Sequence, residues 1–164
     1  MARIFIAIRF NDEFKEKLVE IQDSLKSRGV KGNYCSYGNL HMTLAFIGEQ
    51  YDLPAIRKAV DEVEFEPFDL SLGSLGTFST KAGVIWCGVK EGISATSLAN
   101  QLRERLTANG VSFSTLEFVP HISLVQHPSE IITDIEVPDA TIRVEKIFVM
   151  KSERIDGELI YSEL

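Results

Sequence analysis

The sequence predicts an α+β fold made of two similar halves built on mainly antiparallel sheets. Three observations lead there. Strand-like and helix-like segments are mixed along the chain. Hairpin-like runs close it. And the pattern His, any residue, Thr or Ser, Leu occurs twice, at His41-Met42-Thr43-Leu44 and at His121-Ile122-Ser123-Leu124. The copies lie 80 residues apart in a chain of 164 that has only three histidines, so each half is expected to bring one His and one hydroxyl to a shared site.

In order, residues 4–10 are apolar and rich in isoleucine, which suggests a buried strand. Asn11-Asp12 can cap a helix whose apolar face is Phe14, Leu18, Ile21 and Leu25, with Gly29 as its stop. The loop 31–39 leads into the first motif. There His41, Thr43 and Ala45 should share one strand face, with Met42, Leu44 and Phe46 packed on the core. Asp52 and Pro54 open a second helix, and Phe68, Leu70 and Leu72 alternate as a half-buried strand. The glycine-rich stretch 73–83 is the expected crossing between halves, giving pseudo-repeats of about 1–80 and 81–164 in one two-lobed domain.

The second half repeats the plan. Residues 84–89 form a strand that an offset of 80 aligns with residues 4–9, and Trp86 is assigned to the core. Ala95, Leu98, Ala99, Leu102 and Leu106 give a helix face that ends at Asn109-Gly110. In the second motif His121, Ser123 and Val125 should share a face, opposite Ile122 and Leu124. Residues 127–140 read as loop, with His127 on the surface, and 141–151 and 157–163 as two closing strands joined by a turn at 153–157.

With 45% hydrophobic and 25% charged residues the composition is that of a soluble globular protein. A net charge of −7 argues against broad nucleic-acid binding, though not against recognition of an RNA end by a few basic residues. Cys35 and Cys87 form no metal motif and are expected as reduced thiols. No signal peptide or membrane-spanning stretch is read, so a cytoplasmic protein is expected; a monomer is taken as its state.

Two imidazoles titrating near neutrality suit acid–base chemistry: one donates a proton to a leaving group while the other takes one from water. Hydroxyls two residues on point the same way and can hold the oxygens of a phosphorus centre. No carboxylate lies at ligand spacing from either motif, and no nucleotide-binding glycine loop or serine-nucleophile elbow is present, so neither metal nor cofactor is expected. The pair predicts a bell-shaped pH profile around neutrality.

The two motifs resemble those of the 2H phosphoesterases, in particular the RNA 2′,3′-cyclic phosphodiesterases, or 2′-5′ RNA ligase-like proteins. The similarity also runs through Arg3-Ile-Phe-Ile-Ala-Ile8, Gly83-Val-Ile-Trp-Cys-Gly-Val89 and the tail Met150-Lys-Ser-Glu-Arg154 with Ile160-Tyr-Ser-Glu-Leu164. It implies a bilobal fold of two pseudo-symmetric antiparallel sheets with outer helices and a central groove. It implies hydrolysis of RNA 2′,3′-cyclic phosphate ends to 2′-phosphates, with reversal as 2′-5′ ligation. By the same resemblance His41 is the proton donor, His121 the proton acceptor, and Thr43 and Ser123 hold the phosphate. Relatives commonly carry Arg where this chain has Gln126, which keeps hydrogen bonding but loses a fixed charge. Lys151 or Lys81 is the expected substitute, and Phe46 and Tyr34 are candidates to stack a base, although parity assigns Phe46 to the core. Partners are then RNA ends or small cyclic-phosphate nucleotides. The alternatives are the same chemistry on a cyclic nucleotide-sugar phosphate or a 2′,5′-oligonucleotide, and a non-catalytic RNA-end binding module.

Overall fold

The computed structural model describes residues 2–49, 51–78 and 83–164. The strands are β1 (Arg3–Arg9), β2 (Asn33–Tyr34), β3 (His41–Gly48), β4 (Phe68–Thr77), β5 (Val84–Lys90), β6 (His121–Gln126), β7 (Thr141–Val144), β8 (Phe148–Ile155) and β9 (Glu158–Glu163). The helices are α1 (Asp12–Ser27), α2 (Leu53–Asp61) and α3 (Ile93–Ala108). Among the described residues the strands make two antiparallel sheets, ordered β3-β1-β8-β9 and β2-β6-β5-β4-β7. The two-sheet α+β architecture is as expected.

Local signals act where the sequence placed them. The Asn11 side chain accepts a hydrogen bond from the Phe14 amide at 2.9 Å, and Asp52 accepts from Ala55 at 3.2 Å, so both helices start on their caps. Helix α1 stops before Gly29, whose φ of 87° is a conformation glycine adopts without strain. β1 buries both faces. Ile4, Ile6 and Ile8 join the large core with Leu18, Leu25, Leu98 and Leu102, while Phe5 and Ala7 pack with Met150, Phe148 and Tyr161.

Long-range order differs from the sequence expectation in three ways. The stretch 73–83 is not the crossing, because β4 and β5 are neighbours in one sheet. The chain visits the second sheet first as β2, passes to it again through α2 and residues 62–67, and returns at 145–147. Each half therefore gives two strands to the other's sheet: β2 and β4 join β5 and β6, and β8 and β9 join β1 and β3. Residues 141–151 are accordingly two strands, β7 in one sheet and β8 in the other, and β8 runs on to Ile155. Finally, the offset between halves is 80 at the histidines but 79 at β1 and β5. Phe5 pairs with Phe46 as Val84 pairs with Gln126.

Candidate active site

The two histidines open β3 and β6, and these strands lie side by side where the sheets meet. Between the sheets is a groove of about 810 Å³. His41, Thr43, His121, Ser123 and Gln126 all line it, together with Tyr34, Phe46, Asn39, Arg154 and Tyr161.

The imidazoles are held alike. His41 Nδ1 lies 2.6 Å from the Asn39 carbonyl, and His121 Nδ1 lies 2.6 Å from the Val119 carbonyl. A carbonyl only accepts, so each Nδ1 carries the proton, and in the neutral ring Nε2 is left as the acceptor. His41 Nε2 then accepts from the Thr43 hydroxyl at 2.6 Å. Two hydrogen bonds anchor the Asn39 side chain to β9: Nδ2 donates to the Leu159 carbonyl at 2.9 Å, and Oδ1 accepts from the Tyr161 amide at 3.2 Å. The closing hairpin thereby fixes the residue that orients His41. Val119 has no such side chain.

Aromatic rings wall both histidines. The His41 ring is 4.9 Å from Phe5 and 5.2 Å from Tyr161; the His121 ring is 4.9 Å from Phe78 and 6.0 Å from Trp86. Trp86 is thus half-buried beside the site rather than a core residue. Gly76 lets it lie there, since a Cβ at Gly76 would come within 2.4 Å of the indole ring.

Burial holds the His41 imidazole down to about 4, opposed by its bond to Asn39 and reinforced by the charge of His121. Burial also lowers His121, again opposed by its carbonyl partner. Both rings are therefore neutral at pH 7 in the free protein, not one charged and one neutral as the sequence alone suggested. A negative charge placed beside either ring would favour its imidazolium form.

Strand parity misplaced residues in both motifs. Ile6 pairs with Ala45 and Ala7 with Thr43, so Leu44 is an extra residue in β3. In β6 Ile85 pairs with Val125 and Trp86 with Ser123, which makes Leu124 the matching bulge. After each bulge the alternation flips. Ala45 and Val125 are fully buried, while Phe46, 41% exposed, turns to the groove opposite its counterpart Gln126.

Of the expected basic residues, Lys151 does not line the groove. It sits on the other face of β8 and pairs with Glu153 at 3.2 Å. Lys81 lies outside the described residues. Among the described lining residues the one cation is Arg154, two residues past Ser152 on the groove-facing side of β8. Its signal in the sequence was its parity with Met150 and Ser152 ahead of the Asp156-Gly157 turn. His127 is exposed, as expected. Cys35 and Cys87 are free; burial pushes their thiols up to about 11 and about 12. No group of three or more His, Cys, Asp or Glu among the described residues is arranged to hold a metal ion. No helix among them is long and apolar enough to cross a membrane.

The family model of the 2′-5′ RNA ligase superfamily matches residues 13–156. The chain belongs to this superfamily. The resemblance carried by the two motifs thus holds over most of the sequence. An RNA 2′,3′-cyclic phosphodiesterase of Thermotoga maritima is 31% identical, over 99% of this chain and 92% of its own length. The crystal structure of Escherichia coli LigT in apo form superposes with a TM-score of 0.84 at 27% identity, covering 99% of this chain and 94% of that one. A structure of E. coli LigT complexed with phosphate matches at a TM-score of 0.80 and 25% identity, over 99% of this chain and 93% of that one.

Proposed function

We propose that this protein hydrolyses RNA 2′,3′-cyclic phosphate ends to 2′-phosphates by metal-independent acid–base catalysis. The observation that carries the reading is the pair of equivalently held histidines, each with a hydroxyl two residues on, lining one groove. Two lobes supply one set each, so two catalytic groups can address opposite sides of a single phosphorus. The T. maritima relative's name and the phosphate complex of E. coli LigT support the substrate class.

In the proposed reaction His121 Nε2 takes a proton from water as the water oxygen attacks phosphorus. The P–O3′ bond breaks on the opposite side, and O3′ takes the proton from His41 Nε2. The Thr43 and Ser123 hydroxyls donate to the non-bridging oxygens. The division into donor and acceptor follows the family. The exchange conserves protons, since water loses one to His121 as O3′ gains one from His41. With a 5′-hydroxyl in place of water the same groups would form a 2′-5′ linkage. Gln126 and Arg154 line the groove as neutral and charged contacts for the phosphate, and Phe46 offers a ring to the base. The whole chain, 1–164, acts as one two-lobed catalytic domain with pseudo-repeats about 1–80 and 81–164.

The test is incubation in EDTA with a short RNA ending in a 2′,3′-cyclic phosphate, beside His41→Ala and His121→Ala. Conversion to 2′-phosphate, reduced about 10²-fold or more in each folded variant, is expected. Conversion that needs added metal, or that survives either substitution, would refute the mechanism. A folded but inert wild type would redirect attention to other cyclic phosphates or to end binding without turnover.

A further inference from the structure

Each bulge leucine carbonyl is held by a side chain from the helix of the opposite half. Gln22 of α1 is 5% exposed. Its Nε2 donates to the Leu124 carbonyl in β6 at 2.9 Å and to the Cys35 carbonyl at 2.9 Å. The Cys35 amide donates to the same Leu124 oxygen at 2.9 Å. Arg103 of α3 mirrors this. Its Nε donates to the Leu44 carbonyl in β3 at 3.3 Å, and Nη1 to the Leu116 carbonyl at 2.8 Å. The guanidinium also lies over Phe113 and Phe118, at 5.7 and 5.8 Å from the ring centres.

The connecting loops follow the same exchange. Residues before β3 run along β6, with Tyr34 opposite Val125. In the segment before β6, the Ser114 amide donates to the Phe46 carbonyl at 2.8 Å. Each histidine strand is thus edged and pinned by the other half. The pins fall one residue after the hydroxyl, at the bulge that sets the direction of Phe46 or Gln126. A buried glutamine and a partly buried arginine would cost stability without these acceptors, so their placement calls for the carbonyls. A bulge carries an unpaired residue with softer backbone, so it is where a catalytic strand most needs holding.

We propose that Gln22 and Arg103 are positioning residues, each holding from its own half's helix the hydroxyl-bearing bulge of the other half's catalytic strand. Gln22 then acts through Ser123, and Arg103 through Thr43. The inference rests on the cyclic phosphodiesterase reading for its kinetic readout only.

The experiment is a double-mutant cycle. Gln22→Met and Arg103→Met keep apolar bulk and remove the donors; Arg103→Lys restores one donor. Each is combined with Ser123→Ala and with Thr43→Ala. The assays are kcat and KM on the cyclic-phosphate RNA, Kd for a nucleoside 2′-monophosphate by calorimetry, and thermal unfolding. Gln22→Met should lower kcat about tenfold more than KM changes, and that effect should shrink to about twofold in Ser123→Ala while persisting in Thr43→Ala. Arg103→Met should show the opposite pairing, with partial recovery in Arg103→Lys. Equal losses in both backgrounds, or losses that vanish once the folded fraction is accounted for, would overturn the proposal. A wild type inert on RNA would refute the functional reading by itself. The same crossed pattern, or its absence, in the 2′-monophosphate affinities would still decide the brace.

Discussion

The two imidazoles share one bonding plan but not one environment. His41 sits between Phe5 and Tyr161, under a hairpin fastened through Asn39, and burial holds it down to about 4. This links folding to pH. In the unfolded chain the ring titrates near its ordinary value of about 6.5. Between there and about 4 the unfolded state binds a proton that the folded state refuses. The His41 contribution to stability is therefore intact above the unfolded value and is lost as pH falls toward the folded one, by about 3 kcal/mol over the full window. Urea unfolding near pH 7 and near pH 5 tests it. Wild type should lose about 2 kcal/mol more than His41→Gln over that interval. Equal losses would place the pH dependence elsewhere. The same lowered values move the kcat/KM profile, which reports the free enzyme, to the acid side of the neutral bell the sequence suggests. The kcat profile should lie at higher pH, because bound phosphate stabilises the imidazolium.

At the level of elements, the bulges in β3 and β6 decide which side chains face the groove. Met42 precedes the bulge and is fully buried; Phe46 follows it and faces the groove. Phe46→Ala should raise KM several-fold, with little effect on kcat or stability, by removing a ring worth about 1–3 kcal/mol to a stacked base. Met42→Ala should instead cost about 2–5 kcal/mol of stability. Steady-state kinetics and chemical denaturation separate the two. A destabilised Phe46→Ala with unchanged KM would return Phe46 to the core. This residue also shows where sequence reading stops. Period-two alternation identified both strands, both hydroxyls and the buried Met42, Leu44, Ile122 and Leu124, because those follow from local geometry. A bulge is a property of pairing with β1 or β5, so no periodicity within residues 41–48 could reveal the flip at Ala45. The exchange of β4 and β8 was hidden for the same reason, since an amphipathic strand fits either sheet. Gln22 looked like one more polar helix residue until β6 was placed beside it. Lys151 was a candidate, with Lys81, for its charge, while Arg154, three residues after Lys151 and on the groove-facing parity, is the lining cation among the described residues.

The whole molecule carries a net charge of −7, yet its proposed substrate is an anion. Among the described residues lining the groove, Arg154 stands with a single carboxylate, Glu158. On the proposed reading such a site does not draw a long RNA along its surface but grips an end, the imidazoles gaining charge as phosphate enters. Counterion release makes this measurable. Each phosphate neutralised on a single strand contributes about −0.7 to the slope of log affinity against log salt. With Arg154 as the fixed groove cation among the described residues, log kcat/KM against log salt should fall with a slope of about −0.7. Arg154→Ala should flatten that slope toward zero while raising KM, whereas Lys151→Ala, on the opposite face and paired with Glu153, should leave it unchanged. Extending the RNA beyond a few nucleotides should steepen nothing. A slope of about −3 or beyond, growing with RNA length, would mean that several phosphates are bound outside this groove and that the acidic surface conceals a basic track.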